Sequence, residues 1–309
     1  MKIIVTGATG YIGSHLCKIL HHAGHNVYAC DRVLYEHNDI EQYVDHINDT
    51  NITNNTDVSG VIDDICRLDF DEADAIVHLA GAISVEESTR LPAYYYMTNT
   101  LGTYNVCQMA MTLECRSGIT PHLIFASTAA AFDPISPYAK SKIAAEEIIR
   151  QFFPKNHTIF RFFNVAGSDG ENRQVGPSTH LIRIAAETAA GIRPHMTLNG
   201  YDFDTPDGTC VRDYIHVVDL ANAILNAINA GPQNTPYECL GNGKGYSNLE
   251  VISAMKAATG IDFTVLHGDR RAGDPSKLIV EQVSRLLTPK YSLQDMCRSA
   301  YDVTVKYKE

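Results

Sequence analysis

An α/β fold around a doubly wound parallel sheet is predicted by two features of this chain. Short apolar runs rich in β-formers alternate with stretches of helical periodicity, and the first such pair closes on a βαβ unit. Lys2 to Val5, Asn26 to Cys30, Ala75 to Leu79, His122 to Ala126 and Thr158 to Phe162 read as buried strands. Between the first two, Ile12, Leu16, Ile19, Leu20 and Ala23 recur on one helical face that stops near Gly24. Buried strands separated by helices run parallel, because each helix folds back across the sheet to bury its apolar face. Further helices are expected near Ala93 to Leu113 and from Tyr138 to about Phe152. Beyond Gly167 the composition shifts toward Gly, Pro and Asp, with turns at Gly176-Pro177, Thr205-Pro206-Asp207-Gly208 and Gly231-Pro232. The expected organisation is a larger domain over 1–166, completed by about 214–241, and a smaller lobe over 167–309. Open α/β sheets bind ligands at their strand C-termini, so the active site is expected there, between the lobes.

Composition excludes several classes. The 309 residues, 45% hydrophobic and 20% charged, suit a globular chain with a large core. Twenty-five basic against 36 acidic residues leave a net charge of −11 and no basic run to follow a phosphate backbone, so nucleic acid is not an expected partner. No apolar stretch is long enough for a transmembrane helix, and Lys2 starts a strand where a signal peptide would sit, so no membrane and a cytoplasmic location are expected. The eight cysteines form no C-x-x-C pair and are read as reduced, mostly buried thiols; no metal site is expected. Glycosylation triplets at Asn48, Asn51, Asn54 and Asn156 have no use in such a location. The Asn- and Asp-rich stretch 45–59 reads as a polar surface excursion.

Thr6-Gly7-Ala8-Thr9-Gly10-Tyr11-Ile12-Gly13 joins the first strand to its helix. Gly7 permits a tight turn, Gly10 lets backbone N–H groups reach a pyrophosphate, and Gly13 lets helix and strand pack closely. That pattern in that setting points to a dinucleotide and a Rossmann sheet. Asp31 ends the second strand, 18 residues after Gly13, where a carboxylate accepts from the adenosine ribose hydroxyls and repels a 2′-phosphate. NAD is expected rather than NADP, although Arg32 tempers the repulsion. Asp63, Asp64 and Ile65 are candidate adenine contacts, and Leu79, Ala80 and Gly81 let the cofactor approach the fourth strand. With Tyr11, Ile12, Asn99 and Ser127 these complete the candidate cofactor set.

Tyr138 and Lys142 lie one turn apart on one face of a helix. Lowering a phenol from about 10 to near 7 takes roughly 4 kcal/mol, which a nearby ammonium and a pyridinium cation supply together. The phenol then serves as a general base for a sugar hydroxyl. Ser127 and Thr128 end the fifth strand on the same sheet edge; Thr128 is favoured as the hydroxyl that hydrogen-bonds the reacting oxygen, and capping of backbone groups is the competing role.

The fingerprint, Ala80-Gly81, Ser127-Thr128, Tyr138 with Lys142, and Arg161-Phe162-Phe163-Asn164-Val165-Ala166-Gly167 resemble the extended short-chain dehydrogenases/reductases. Residues 205–217, Gly241-Asn242-Gly243-Lys244-Gly245-Tyr246-Ser247 and Arg270-Arg271-Ala272-Gly273-Asp274-Pro275 narrow the resemblance to the UDP-glucose 4-epimerase family over nearly the whole chain. It implies a doubly wound Rossmann sheet with a smaller C-terminal α/β substrate-binding lobe, and NAD-dependent inversion at C4 of a UDP-hexose through a transient 4-keto sugar. It implies Tyr138 as base, Lys142 on the nicotinamide ribose and Thr128 on the reacting hydroxyl. Asn164, Thr179, His180, Leu181, Arg212, Arg271 and Asp274 match positions around the nucleotide-sugar, and two guanidiniums suit a diphosphate. Asp213, His216 and Asp219 are expected to order the following helix. A homodimer through a helical bundle is also implied. Two rival activities share the fold, a 4,6-dehydratase and a 4-ketoreductase; a non-catalytic dinucleotide sensor is a third alternative, but such proteins typically lose the pair that Tyr138 and Lys142 keep. The dehydratase needs an acid beside the catalytic Thr, where Ala129 and Ala130 stand. Against the family pattern, only ten positions separate Thr128 from Tyr138, Ile83 stands where relatives often carry a Lys, and Asn199 stands where an aromatic usually packs on uracil. Leu278 leaves room for an N-acetyl group.

Overall fold

The computed structural model describes residues 1–31, 40–49, 71–270 and 274–308. The chain divides into two compact units, Met1–Arg161 with Ile224–Glu238, and Phe162–Ala223 with Cys239–Glu309.

The first unit holds β1 (Lys2–Thr6), α1 (Tyr11–His22), β2 (Asn26–Asp31), β3 (His46–Asp49), β4 (Ala75–His78), α2 (Val85–Arg90), α3 (Pro92–Tyr95), a π-helical turn (Tyr96–Leu101), α4 (Gly102–Ser117), β5 (His122–Thr128), α5 (Pro137–Phe152) and β6 (His157–Phe162). Its strands lie side by side in the order β6-β5-β4-β1-β2-β3. Parallel register runs Ile3↔Val27, Ile3↔Ala75, Ala75↔His122 and Tyr28↔His46. Ile3, Ile4, Val5, Ile76, Val77, Leu123 and Phe125 are fully buried, as central strands covered on both faces require. The fold is thus the doubly wound parallel sheet expected, with the five expected strands within two residues of their expected ends; β3 corrects the reading of 45–59 as a surface excursion, since its backbone pairs with β2 whatever the polarity of its side chains. α1 stops at Gly24, whose φ of +79° continues no right-handed helix. Pro137 opens α5 at a position where a missing N–H costs nothing, and the Ser136 side chain accepts from the Ala139 amide.

One element departs from expectation. The single helix anticipated near Ala93 to Leu113 is interrupted by the π-helical turn, which adds a residue to one turn and turns the buried Asn99 toward Ala82. Periodicity alone does not mark such an insertion, because the apolar face resumes in α4.

The chain continues through β7 (Asn164–Ala166), α6 (Leu181–Ala189), β8 (Met196–Asn199), β9 (Val211–His216), α7 (Val217–Ala230), β10 (Glu238–Leu240), β11 (Gly245–Ser247), α8 (Asn248–Thr259), β12 (Val265–Gly268), β13 (Lys277–Leu278) and α9 (Leu293–Lys306), all in the second unit except Ile224–Glu238, which includes the latter half of α7. β9 is flanked by β11 and β13 and also pairs with β7, while β8 pairs with β12. Ile182, Ala185, Val251, Met255, Met296 and Cys297, from α6, α8 and α9, form the second unit's core with Met196 and Tyr214. Ser247 with Glu250 and Ser292 with Asp295 make reciprocal capping boxes on α8 and α9. Among the described residues no helix is long and apolar enough to cross a membrane, and the described cysteines are free thiols, buried except Cys115.

Candidate active site

The cofactor end is a backbone cradle. Gly7 has φ +71°, its N–H donates to the Cys30 carbonyl at 2.9 Å, and a Cβ there would lie 2.8 Å from the Ala80 nitrogen. A Cβ on Gly13 would lie 2.1 Å from the Gly7 oxygen, so no side chain fits at the third glycine. α1 starts at Gly10 with no side-chain cap, leaving Tyr11, Ile12 and Gly13 in the first turn, where backbone N–H groups lack intrahelical acceptors. A turn with glycine at both ends, set at the positively polarised end of a helix, fits a pyrophosphate. Asp31 Oδ2 accepts from both the Thr9 amide and the Thr9 hydroxyl at 2.9 Å, which fixes the carboxylate at the end of β2. Leu79 donates its amide to the Thr6 carbonyl at 3.1 Å, and the Ala80 amide reaches Thr6 Oγ1 at 3.3 Å. A Cβ on Gly81 would meet Asn99 Oδ1 at 2.9 Å and Lys142 Nζ at 3.3 Å, so Gly81, Asn99 and Lys142 converge on one spot. These groups fit NAD. Arg32, Asp63, Asp64 and Ile65 lie outside the described residues.

The chemical end stands on α5. Tyr138 and Lys142 are 9% and 4% exposed, and Thr128 is equally buried at 9%. The Thr128 side chain hydrogen-bonds the Tyr138 phenol, and its Oγ1 also accepts the Ala130 amide at 3.2 Å, so it caps and contacts at once. Lys142 Nζ donates to the Ala126 carbonyl at 2.8 Å and stands 4.6 Å from the Phe125 ring centre. Burial pushes the Lys142 ammonium down to about 8, against the Glu146 carboxylate, which raises it.

The chain's own groups do not by themselves bring the Tyr138 phenol down, and the expected lowering joins Lys142 to the cofactor's pyridinium. Burial raises it, and among those groups only the Thr128 hydrogen bond opposes. The Ser127 hydroxyl, 3% exposed, donates to Glu146 Oε1 at 2.5 Å. Glu146, which no motif marks, is fully buried and takes both Nε and Nη2 of Arg161 at 2.9 Å and Arg150 Nη2 at 2.8 Å. Those partners hold its carboxyl below the usual range despite burial. A charged residue four positions beyond Lys142 on the same buried face was the available signal.

In the second unit Asn164, Arg212, Asp274 and Leu278 gather on and beside β9. Arg212 Nη2 lies 3.7 Å from Asp274 Oδ1, and Leu278 is the register partner of Arg212. Asn164 Nδ2 donates to the Asp213 carbonyl at 3.0 Å. His180 precedes α6, with Nδ1 2.5 Å from Gln174 Nε2, and Leu181 is the first residue of that helix, packed on the core. Asn199 ends β8 opposite Gly268. Arg271 lies outside the described residues. His216 orders the next helix as expected, its Nδ1 accepting the Val218 amide at 3.2 Å. Asp213 and Asp219 do not. Asp213 accepts from Asn242 and Gly243 at 2.7 and 2.8 Å, and Asp219 from Lys290 and Tyr291 at 2.9 and 3.2 Å, so each pins a distant loop.

Comparison with known proteins agrees. The profile of the NAD dependent epimerase/dehydratase family matches residues 3–239. A UDP-glucose 4-epimerase of Halalkalibacterium halodurans is 32% identical over 335 residues, spanning 98% of this chain and 95% of the relative. The crystal structure of UDP-glucose 4-epimerase from Bifidobacterium longum in complex with NAD+ and UDP superposes with a TM-score of 0.86 at 26% identity, covering 100% of this chain and 99% of that one. The UDP-Glc/GlcNAc 4-epimerase from Campylobacter jejuni does so with a TM-score of 0.75 at 35% identity, covering 98% of both.

Proposed function

The chain belongs to the NAD dependent epimerase/dehydratase family, and from that membership we propose that it inverts C4 of a UDP-hexose, interconverting UDP-glucose and UDP-galactose. The observation that carries the reading is the buried contact of Thr128 with Tyr138, one turn from Lys142 and on the same unit as the glycine cradle. Gly7, Gly10, Gly13, Asp31, Gly81, Asn99 and Lys142 would hold the cofactor. When bound, NAD supplies the two-electron chemistry, accepting hydride from C4 and returning it to the other face of the ring. Tyr138 takes the C4 hydroxyl proton on its phenolate oxygen and returns it when the alcohol is rebuilt. Thr128 hydrogen-bonds that phenol and steadies its anionic form. Lys142, its Nζ held on the Ala126 carbonyl one turn from the phenol, is assigned to the nicotinamide ribose. Arg212, with Asp274 setting its orientation, is assigned to the diphosphate, and Asn164, His180, Leu181 and Arg271 to the rest of the nucleotide-sugar. Leu278, beside Arg212, borders the sugar's C2 substituent.

Ala129 and Ala130 open a short 3₁₀ turn after Thr128 and carry no carboxyl, which favours epimerisation over elimination. Purified protein incubated with UDP-galactose and without added NAD, followed by NMR of the sugar, tests the reading. UDP-glucose is the expected product, a 4-keto-6-deoxy sugar would replace epimerase by dehydratase, and UDP-N-acetylhexosamines in the same assay settle the C2 tolerance. A cytoplasmic homodimer belongs to this reading. α4 leaves Met111 42% exposed, a side chain that a partner helix would cover; a sedimentation mass of one chain would remove the dimer, and cell fractionation checks the location.

A further inference from the structure

β4 ends in a base where a buried strand calls for an apolar residue. His78 is 2% exposed, and burial, reinforced by the Lys142 charge, pushes its imidazole down to about 3. A neutral imidazole has one donor and one acceptor nitrogen, and its tautomer follows from its partners. Nδ1 lies 2.7 Å from Thr6 Oγ1, and Nε2 lies 3.1 Å from Thr103 Oγ1. Thr103 donates its only hydroxyl proton to the Asn99 carbonyl at 2.6 Å, so toward the imidazole it accepts, and Nε2 carries the proton. Nδ1 is then the acceptor. The Thr6 hydroxyl donates to it while accepting the Ala80 amide at 3.3 Å. One tautomer satisfies every bond.

Both ends of this chain of hydrogen bonds reach the candidate site. Thr6 immediately precedes Gly7, and Ala80 precedes Gly81. At the other end the Asn99 amide donates to the Ala82 carbonyl and to Ser141 Oγ at 3.0 Å and accepts the Ala82 amide at 2.8 Å. Ser141 in turn donates to the Tyr138 carbonyl at 2.8 Å. We propose that His78 is a positioning residue for the cofactor reaction: protonated at Nε2, it joins the glycine turn to Asn99 and, through Asn99, to the helix that carries Tyr138 and Lys142. The inference rests on the NAD-dependent reading above. Its physical basis is that a buried bond with no competing water holds two backbone segments at a fixed separation.

The test pairs ¹⁵N-histidine NMR with calorimetric titration of NAD and of UDP against wild type, His78→Phe, Thr103→Val and the double variant. In the wild type Nε2 is expected to show the protonated-nitrogen shift and Nδ1 the unprotonated one, unchanged from pH 8 to 5. His78→Phe keeps a flat ring without either bond, and NAD affinity is expected to fall at least tenfold with UDP affinity within twofold of wild type. Thr103→Val removes one link and gives part of that loss, and the double variant is no weaker than His78→Phe. A proton on Nδ1, wild-type NAD affinity in His78→Phe, or equal loss of NAD and UDP binding would overturn the coupling. Should His78→Phe fail to fold, unchanged NAD affinity in Thr103→Val overturns it. Wild-type protein that neither carries NAD on purification nor binds it when added would overturn the functional reading together with it.

Discussion

Tyr138 is held by opposing influences. Burial favours its neutral phenol, whereas the Thr128 hydrogen bond favours the phenolate. Tyr138→Phe keeps the ring and removes the base, so kcat is expected to fall by about 10²- to 10⁴-fold, with KM for UDP-galactose and the circular dichroism spectrum little changed. Thr128→Val removes the stabilising contact and is expected to move the acidic limb of the pH–rate profile to higher pH. Lys142 acts on the other limb. Its ammonium, brought by burial from the usual 10.5 to about 8, is lost as pH rises through that value, so kcat declines above it, and Lys142→Met abolishes that limb together with most activity. For folding the sign is opposite to the function: the unfolded chain holds the proton up to 10.5, so this lysine costs least stability above that pH and most below about 8.

α5 carries Tyr138, Lys142, Glu146 and Arg150 at intervals of four, one stripe that passes from chemistry to support. Glu146→Ala leaves the Arg161 guanidinium buried without its carboxylate and is expected to cost about 3–5 kcal/mol in urea unfolding. Glu147, whose side chain is 60% exposed and pairs with Arg150 at 3.3 Å, is the control: Glu147→Ala is expected to cost no more than about 1 kcal/mol. In α1, Gly13→Ala drives a methyl onto the Gly7 oxygen at 2.1 Å, so helix and turn must part. Calorimetry is expected to show NAD affinity reduced at least tenfold, because the displaced turn is the one assigned to the pyrophosphate.

Across the chain, acid is the condition that tests the interior. His122 and His157 open adjacent strands, and burial, then the neighbouring His157, pushes His122 down to about 4. Below pH 6.5 the unfolded chain takes up a proton that folded His122 refuses. Stability is therefore full above 6.5 and is lost as pH falls toward 4, at up to about 1.4 kcal/mol per unit. Urea midpoints between pH 7 and 4.5 check this, and His122→Gln is expected to flatten the slope. Saturation with NAD at about a hundred times its Kd is expected to add about 2.7 kcal/mol, since only the folded cradle binds it.

Strand and helix order, the glycine turn, Asp31 at the end of β2 and the pairing of Tyr138 with Lys142 were all legible in the amino-acid order. Each depends on neighbours within a turn or a strand, where period and backbone freedom act directly. The partners of those residues were not legible. Ser127 turning to Glu146, Asp213 holding Asn242 and Thr6 meeting His78 join positions 19, 29 and 72 apart, and strand order alone determines which of them meet. The π-helical turn at Asn99 was hidden because one extra residue leaves the apolar period on either side intact. Local chemistry selects the elements; burial, which makes an unpartnered polar group costly, selects the contacts between distant ones.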